Sequence, residues 1–141
     1  STPREIEEAE RDFQQVMETM RGEKVDVAFF PVDPRLGMMF DAGPNYFAMV
    51  VKPRLMIPMH FWERAEVIRE YARRSRSPQT EIIAMTTPGD MILLEFDEQE
   101  NMTVHMQSVT SAPVARNKKV QLEAYDGENP FNDSDLPVDM E

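Results

Sequence analysis

Cysteine is absent from this sequence of 141 residues, and histidine occurs twice, as His60 and His105. The first absence excludes disulfides and thiolate-held metals, so any metal must be held by histidine, carboxylate or backbone oxygen. The second is nearly as restrictive, because catalytic zinc sites usually take three protein ligands and commonly draw on several histidines. Glycine occurs five times, and there is no glycine-rich phosphate loop, Gly-x-Ser-x-Gly elbow, His-x-His or His-Glu-x-x-His pair. Positive charge is short as well: 15 Lys and Arg face 26 Asp and Glu, for a formal net charge of −11. That balance argues against non-specific binding to nucleic acid and against attraction to anionic membranes. No apolar run approaches the ~20 residues of a membrane helix, and the first residues read into a helix cap rather than a signal peptide. A soluble cytoplasmic protein, or a piece of one, is the expectation.

What is present suffices for one domain with a real core. The twelve methionines are adaptable packing residues. Thr2-Pro3-Arg4-Glu5 is a capping box with proline at the first helical position. Ile6, Ala9, Phe13, Val16, Met17 and Met20 then recur at helical steps up to Gly22. Val25 to Phe30 reads as a strand, and Val32 to Gly37 as a loop rich in turn residues. A short helix is expected over Pro44 to Val51, ended by Lys52-Pro53. Leu55 to Met59 is a second strand, Glu63 to Arg74 a third helix, and Ser75 to Pro78 its breaker. Glu81 to Met85 and Met91 to Phe96 are two more strands, which the turn signal Thr87-Pro88-Gly89-Asp90 joins as a hairpin. The order predicts an α/β fold with a parallel strand pair, whose helices cover one face and leave the other bare. After Phe96 the chain turns polar. Met102 to Met106 alternates enough for a strand, and Val120 to Tyr125 is a candidate for another. Gln121 to Glu141 carries seven acidic residues and no Lys or Arg, as a solvated acidic tail would.

The stretch Lys52-Pro-Arg-Leu-Met-Ile-Pro-Met-His-Phe-Trp62 carries the clearest functional signal. It is a short apolar run bounded by prolines, as in a strand buried on both faces, and it ends on a histidine. Ligands in open α/β sheets sit just beyond the carboxyl ends of the strands, and imidazole is the commonest metal-binding side chain near neutral pH. His60 is therefore a candidate metal ligand, set against the plainer role of a strand-end histidine bonded to a carbonyl. Asp33 follows the first strand and shares an edge with His60 if the two strands are parallel; Asp before Pro is also a common turn former. Arg35 offers a fork for an anionic substrate group, and Trp62 an apolar wall. His105 has no acidic or histidine partner at useful spacing and reads as structural or exposed.

Phe29-Phe-Pro-Val-Asp-Pro-Arg-Leu-Gly37, taken with Lys52 to Trp62, resembles the carboxy-terminal part of a metallo-β-lactamase-fold hydrolase, in the ascorbate-6-phosphate lactonase-like branch. The resemblance spans roughly Ser1 to Phe96. It implies half of an αββα sandwich: a mixed sheet with helices on one face, followed by a weakly structured extension from 97 to 141 with an acidic tail. It also implies a site for zinc or manganese at the sheet edge, with His60 in the position of the family's last ligand histidine. Such a metal lowers the pKa of bound water for hydrolysis. The family's His-x-His-x-Asp-His motif, its next histidine and its bridging aspartate belong upstream of Ser1, and Asp33 follows the wrong strand to replace the last of these. The expectation is thus the carboxy-terminal portion of a metal-dependent hydrolase of small molecules, inactive without its amino-terminal half. The alternative is a non-catalytic interaction module that self-associates through an uncovered sheet face.

Overall fold

The computed structural model describes residues 1–75, 77–110 and 114–117. Helix α1 (Pro3–Glu18) starts as its sequence dictates. The Glu5 amide donates to Thr2 Oγ1 at 3.1 Å and the Thr2 amide donates to the Glu5 carboxylate at 2.9 Å, so two amides at the helix start are satisfied reciprocally. Only the later part of its apolar stripe is used. Phe13, Met17 and Met20 pack on the core, while Ile6 and Val16 stay exposed.

Strand β1 (Val27–Pro31) leads through a 3₁₀ segment (Pro34–Met39) into α2 (Ala42–Val51), β2 (Leu55–Met59), α3 (Ala65–Arg74) and β3 (Glu81–Ala84). Then come β4 (Met91–Phe96), β5 (Met102–Gln107) and the short β6 (Ala115–Arg116). Lys52 ends α2 in the left-handed conformation ahead of Pro53. The main sheet has the order β1-β2-β3-β6, with β1, β2 and β3 parallel and β6 antiparallel to β3. The mixed α/β class read from the sequence holds. Among the described residues, no helix is long and apolar enough to cross a membrane.

Alternation along the buried strands sends side chains into two cores. Met56, Ile82 and Ala84 meet Phe47, Val50 and Val51 of α2 and Ile68, Tyr71 and Ala72 of α3. Leu55, Ile57 and Ile83 point the other way. The sequence predicts this second face to be bare, and the structure corrects that. Ile92, Leu94, Met102, Val104 and Met106 of β4 and β5 pack over it, leaving Leu55 and Ile83 at 0 % exposure. The same residues correct the expected hairpin. β4 pairs antiparallel with β5 around Asp97–Asn101, and not with β3. The reason is that β3 is buried on both faces and already flanked by β2 and β6. The Thr87–Asp90 turn therefore carries the chain from one layer to the next instead of reversing it within a sheet. Cover is thinnest at the edge strand β1, where Phe29 faces outward and is exposed.

Pairing runs across Phe96, since β5 and β6 both join strands that precede it. Beyond β6, Asn117 closes the edge of β3. Its side-chain oxygen accepts the Ile82 amide at 2.7 Å, its amide donates to the Ile82 carbonyl at 3.1 Å, and its Nδ2 donates to the Thr80 carbonyl at 3.2 Å. The expected strand over Val120–Tyr125 and the acidic stretch Gln121–Glu141 lie outside the described residues.

Candidate functional site

Parallel pairing of β1 with β2 runs in register from Val27↔Leu55 to Pro31↔Met59, so both strands end together. The Val32 amide then donates to the Met59 carbonyl at 2.9 Å, carrying the alignment one step past the sheet. This puts the Asp33 loop and the His60 loop at one carboxyl edge, as a parallel arrangement requires. On its other side β2 departs from β3 early. The Leu55 amide bonds to Asp26 of the β1 side, so odd positions of β2 donate towards β1 and even ones towards β3. Pro58 falls on the β3 side and has no amide to give, and the β2–β3 register stops at Met56↔Ile82.

At this edge Asp33 and Arg35 form a compact pair. Asp33 Oδ1 accepts the Arg35 amide at 2.9 Å, and the guanidinium donates to both carboxylate oxygens, closest at 2.6 Å through Nη2. Asp33 thereby caps the 3₁₀ segment. The Arg35 guanidinium lies 4.7 Å from the centre of the Trp62 ring, within cation–π range. Side-chain bonding to Arg35, then the Arg35 amide and more weakly Trp62, hold the Asp33 carboxyl at about 2, down from 3.8. A depressed carboxylate pKa adds stability that is fully present above the ordinary value and is lost as pH falls through the folded one. In an NMR titration, the Asp33 carboxyl should therefore stay ionised down to about 2 and move back towards its ordinary range in Arg35→Ala. A midpoint unchanged by that substitution would remove the pair as the cause.

His60 follows directly on β2. Its imidazole is exposed and makes no hydrogen bond among the described residues, and its φ is +60°, with Trp62 at +56°. Non-glycine residues in this region cost roughly 1–3 kcal/mol each and gather at functional sites. Two such residues flanking Phe61 turn the chain sharply from β2 into α3. The donors at hand do not make a metal centre by themselves. Among the described residues no three His, Asp or Glu side chains converge, and Asp33 is committed to Arg35. Sequence reasoning thus places Asp33, Arg35, His60 and Trp62 at one edge, and the structure brings Asp33, Arg35 and Trp62 into contact.

Two further groupings carry no signal in the sequence. His105 does have an acidic partner, Glu95, across the β4–β5 ladder on its outer face. Their separation of ten residues gives no hint of it without the hairpin register. Asp41 and Arg74 form an ion pair buried between α2 and α3. Comparison with protein-family models, with curated proteins and with solved structures gave no match.

Proposed function

We propose that this chain is the carboxy-terminal part of a metal-dependent hydrolase of the metallo-β-lactamase type, acting on a small molecule. One observation carries the reading. His60 is exposed, unbonded among the described residues, and held in left-handed backbone at the end of a parallel strand, beside the loop that ends its neighbour. An imidazole used only for packing has little reason to occupy strained backbone at a sheet edge. The chain supplies one ligand of a zinc or manganese centre, and the remaining ligands come from an amino-terminal half. Arg35 and Trp62 form a wall of the substrate site, and Asp33 positions Arg35. Because Asp33 neutralises that guanidinium, the wall orients substrate through its flat faces more than through charge.

Metal content is the direct test. The chain alone should hold no tight stoichiometric zinc or manganese, and the chain joined to its amino-terminal half should hold both metal and hydrolase activity. Tight metal in the chain alone, or none in the joined protein, would sink the reading. A second reading, the self-associating interaction module, rests on apolar surface that remains outside the two cores. Phe29 on β1, with Met91 and Leu93 on β4, are each more than half exposed. A joined protein that dimerises and takes up no metal would favour it.

A further inference from the structure

We propose that the cleft between the end of β3, the β4–β5 layer and α3 is an oxyanion subsite that takes a phosphate-like group. The cleft measures about 160 Å³. That is small against the roughly 300–1,000 Å³ of pockets that enclose whole drug-sized ligands, and it suits a single functional group. Its lining is rich in donors: the hydroxyls of Thr86, Thr87, Ser108 and Thr110, and the guanidinium of Arg69.

Arg69 is the central feature. In a chain with eleven more acidic than basic residues, most described cations have a carboxylate partner, including Arg64, Arg73 and Arg74 at the ends of the same helix. Arg69 has none within ion-pair distance among the described residues. It is instead held by a hydroxyl, Nη1 donating to Thr86 Oγ1 at 3.2 Å. A planar fork fixed by a neutral acceptor keeps its charge available for a phosphate. The carboxylate in the lining, Asp90, is occupied elsewhere: Oδ1 accepts the Val109 amide at 3.1 Å and Oδ2 the Thr87 amide at 3.4 Å. It braces the walls, and a lone carboxylate so engaged makes a poor cation site.

The walls are built by close approach. Gly89 has φ +95°, and a Cβ there would lie 2.8 Å from Val109 Cγ1. Glycine thus lets the segment after β5 settle onto the Thr87–Asp90 turn and bring Ser108 and Thr110 to face Thr86. The location also fits. Counting on from Leu55↔Glu81, Thr86 stands level with His60, one strand over at the same carboxyl edge, where the β2–β3 ladder has already opened after Met56. The subsite stands without the hydrolase reading. Taken with it, the substrate bears a phosphate.

The test is an NMR titration of the full chain with inorganic phosphate at constant ionic strength, with chloride as the control and no metal present. The Thr86, Thr87, Ser108 and Thr110 amides should shift saturably. Arg69→Gln, at an exposed position that the cores do not use, should weaken binding about tenfold or more, the worth of one hydrogen bond to a charged group. Thr86→Val should weaken it while keeping the charge. Absence of saturation, or equal affinity in Arg69→Gln, would overturn the subsite. Since no metal enters the titration, its failure would leave the assignment of His60 standing, and loss of that assignment would leave the subsite.

Discussion

Replacing Arg74 with methionine should destabilise the fold by about 3–5 kcal/mol, the usual cost of removing one partner of a buried ion pair. The side chains of Arg74 and Asp41 are 5 % and 6 % exposed and bonded to each other through Nη2 and Oδ2. The guanidinium also lies 5.0 Å from the Phe40 ring centre. Asp41 stands at the start of α2 without capping it through its side chain, because its carboxylate is turned to Arg74 in the last turn of α3. Each charge sits at the helix end whose dipole favours it. Without Arg74, Asp41 would remain charged among buried groups with nothing to offset its lost hydration. Urea denaturation should report the loss, and the double replacement Asp41→Leu/Arg74→Met should recover much of it. A loss below about 1 kcal/mol, the scale of solvated pairs, would show that water reaches the pair.

The second large effect is expected at His60, in the protein joined to its amino-terminal half. Removing the imidazole should weaken metal binding at least about 100-fold, since loss of a mere outer-shell partner already costs 10–100-fold, and hydrolysis should fall with it. Two variants separate ligand from scaffold. His60→Ala places a Cβ residue at φ +60° without a polar side chain to bond locally. His60→Gly relieves roughly 1–2 kcal/mol of left-handed strain and gives back about 0.4–1 kcal/mol through the freer unfolded chain. The glycine variant should thus match the parent in stability to within about 1 kcal/mol and still lose the metal. Metal retained in His60→Gly would refute the ligand assignment. A glycine variant that fails to fold would assign His60 a structural role.

Much of the site's placement was legible before any coordinates. The prolines that bound Leu55–Met59 mark a short buried strand, and the strand's end marks an edge, so His60, Asp33, Arg35 and Trp62 could be assembled by topology alone. The contacts among them could not. Arg35 meets Asp33 two residues away through a turn that Asp-Pro favours, but its stacking on Trp62 needs β1 and β2 to end level. The Arg69 cleft was not legible at all. It joins α3, the turn after β3 and the segment after β5, and no spacing in the sequence relates those three.

The misjudged second face has the same origin. Met91 to Phe96 and Met102 to Gln107 each alternate as strands do, and their sequence names them as strands. Whether β4 pairs with β3 or with β5 depends on which edge of β3 is free, and β2, β6 and Asn117 decide that from up to 37 residues away in the chain.

The sequence by itself determined the elements that rest on neighbours: the Thr2 capping box of α1, the stop at Lys52-Pro53, the apolar strand before His60. It also determined the missing thiols and the scarcity of imidazole that limit any metal centre. Those follow from local backbone sterics, short-range hydrogen bonds and composition. Only the tertiary structure decided the layer that covers Leu55 and Ile83, the burial of Asp41 with Arg74, and the solitary charge of Arg69. Each of these depends on which distant surfaces exclude water together, and no local pattern of residues records that choice.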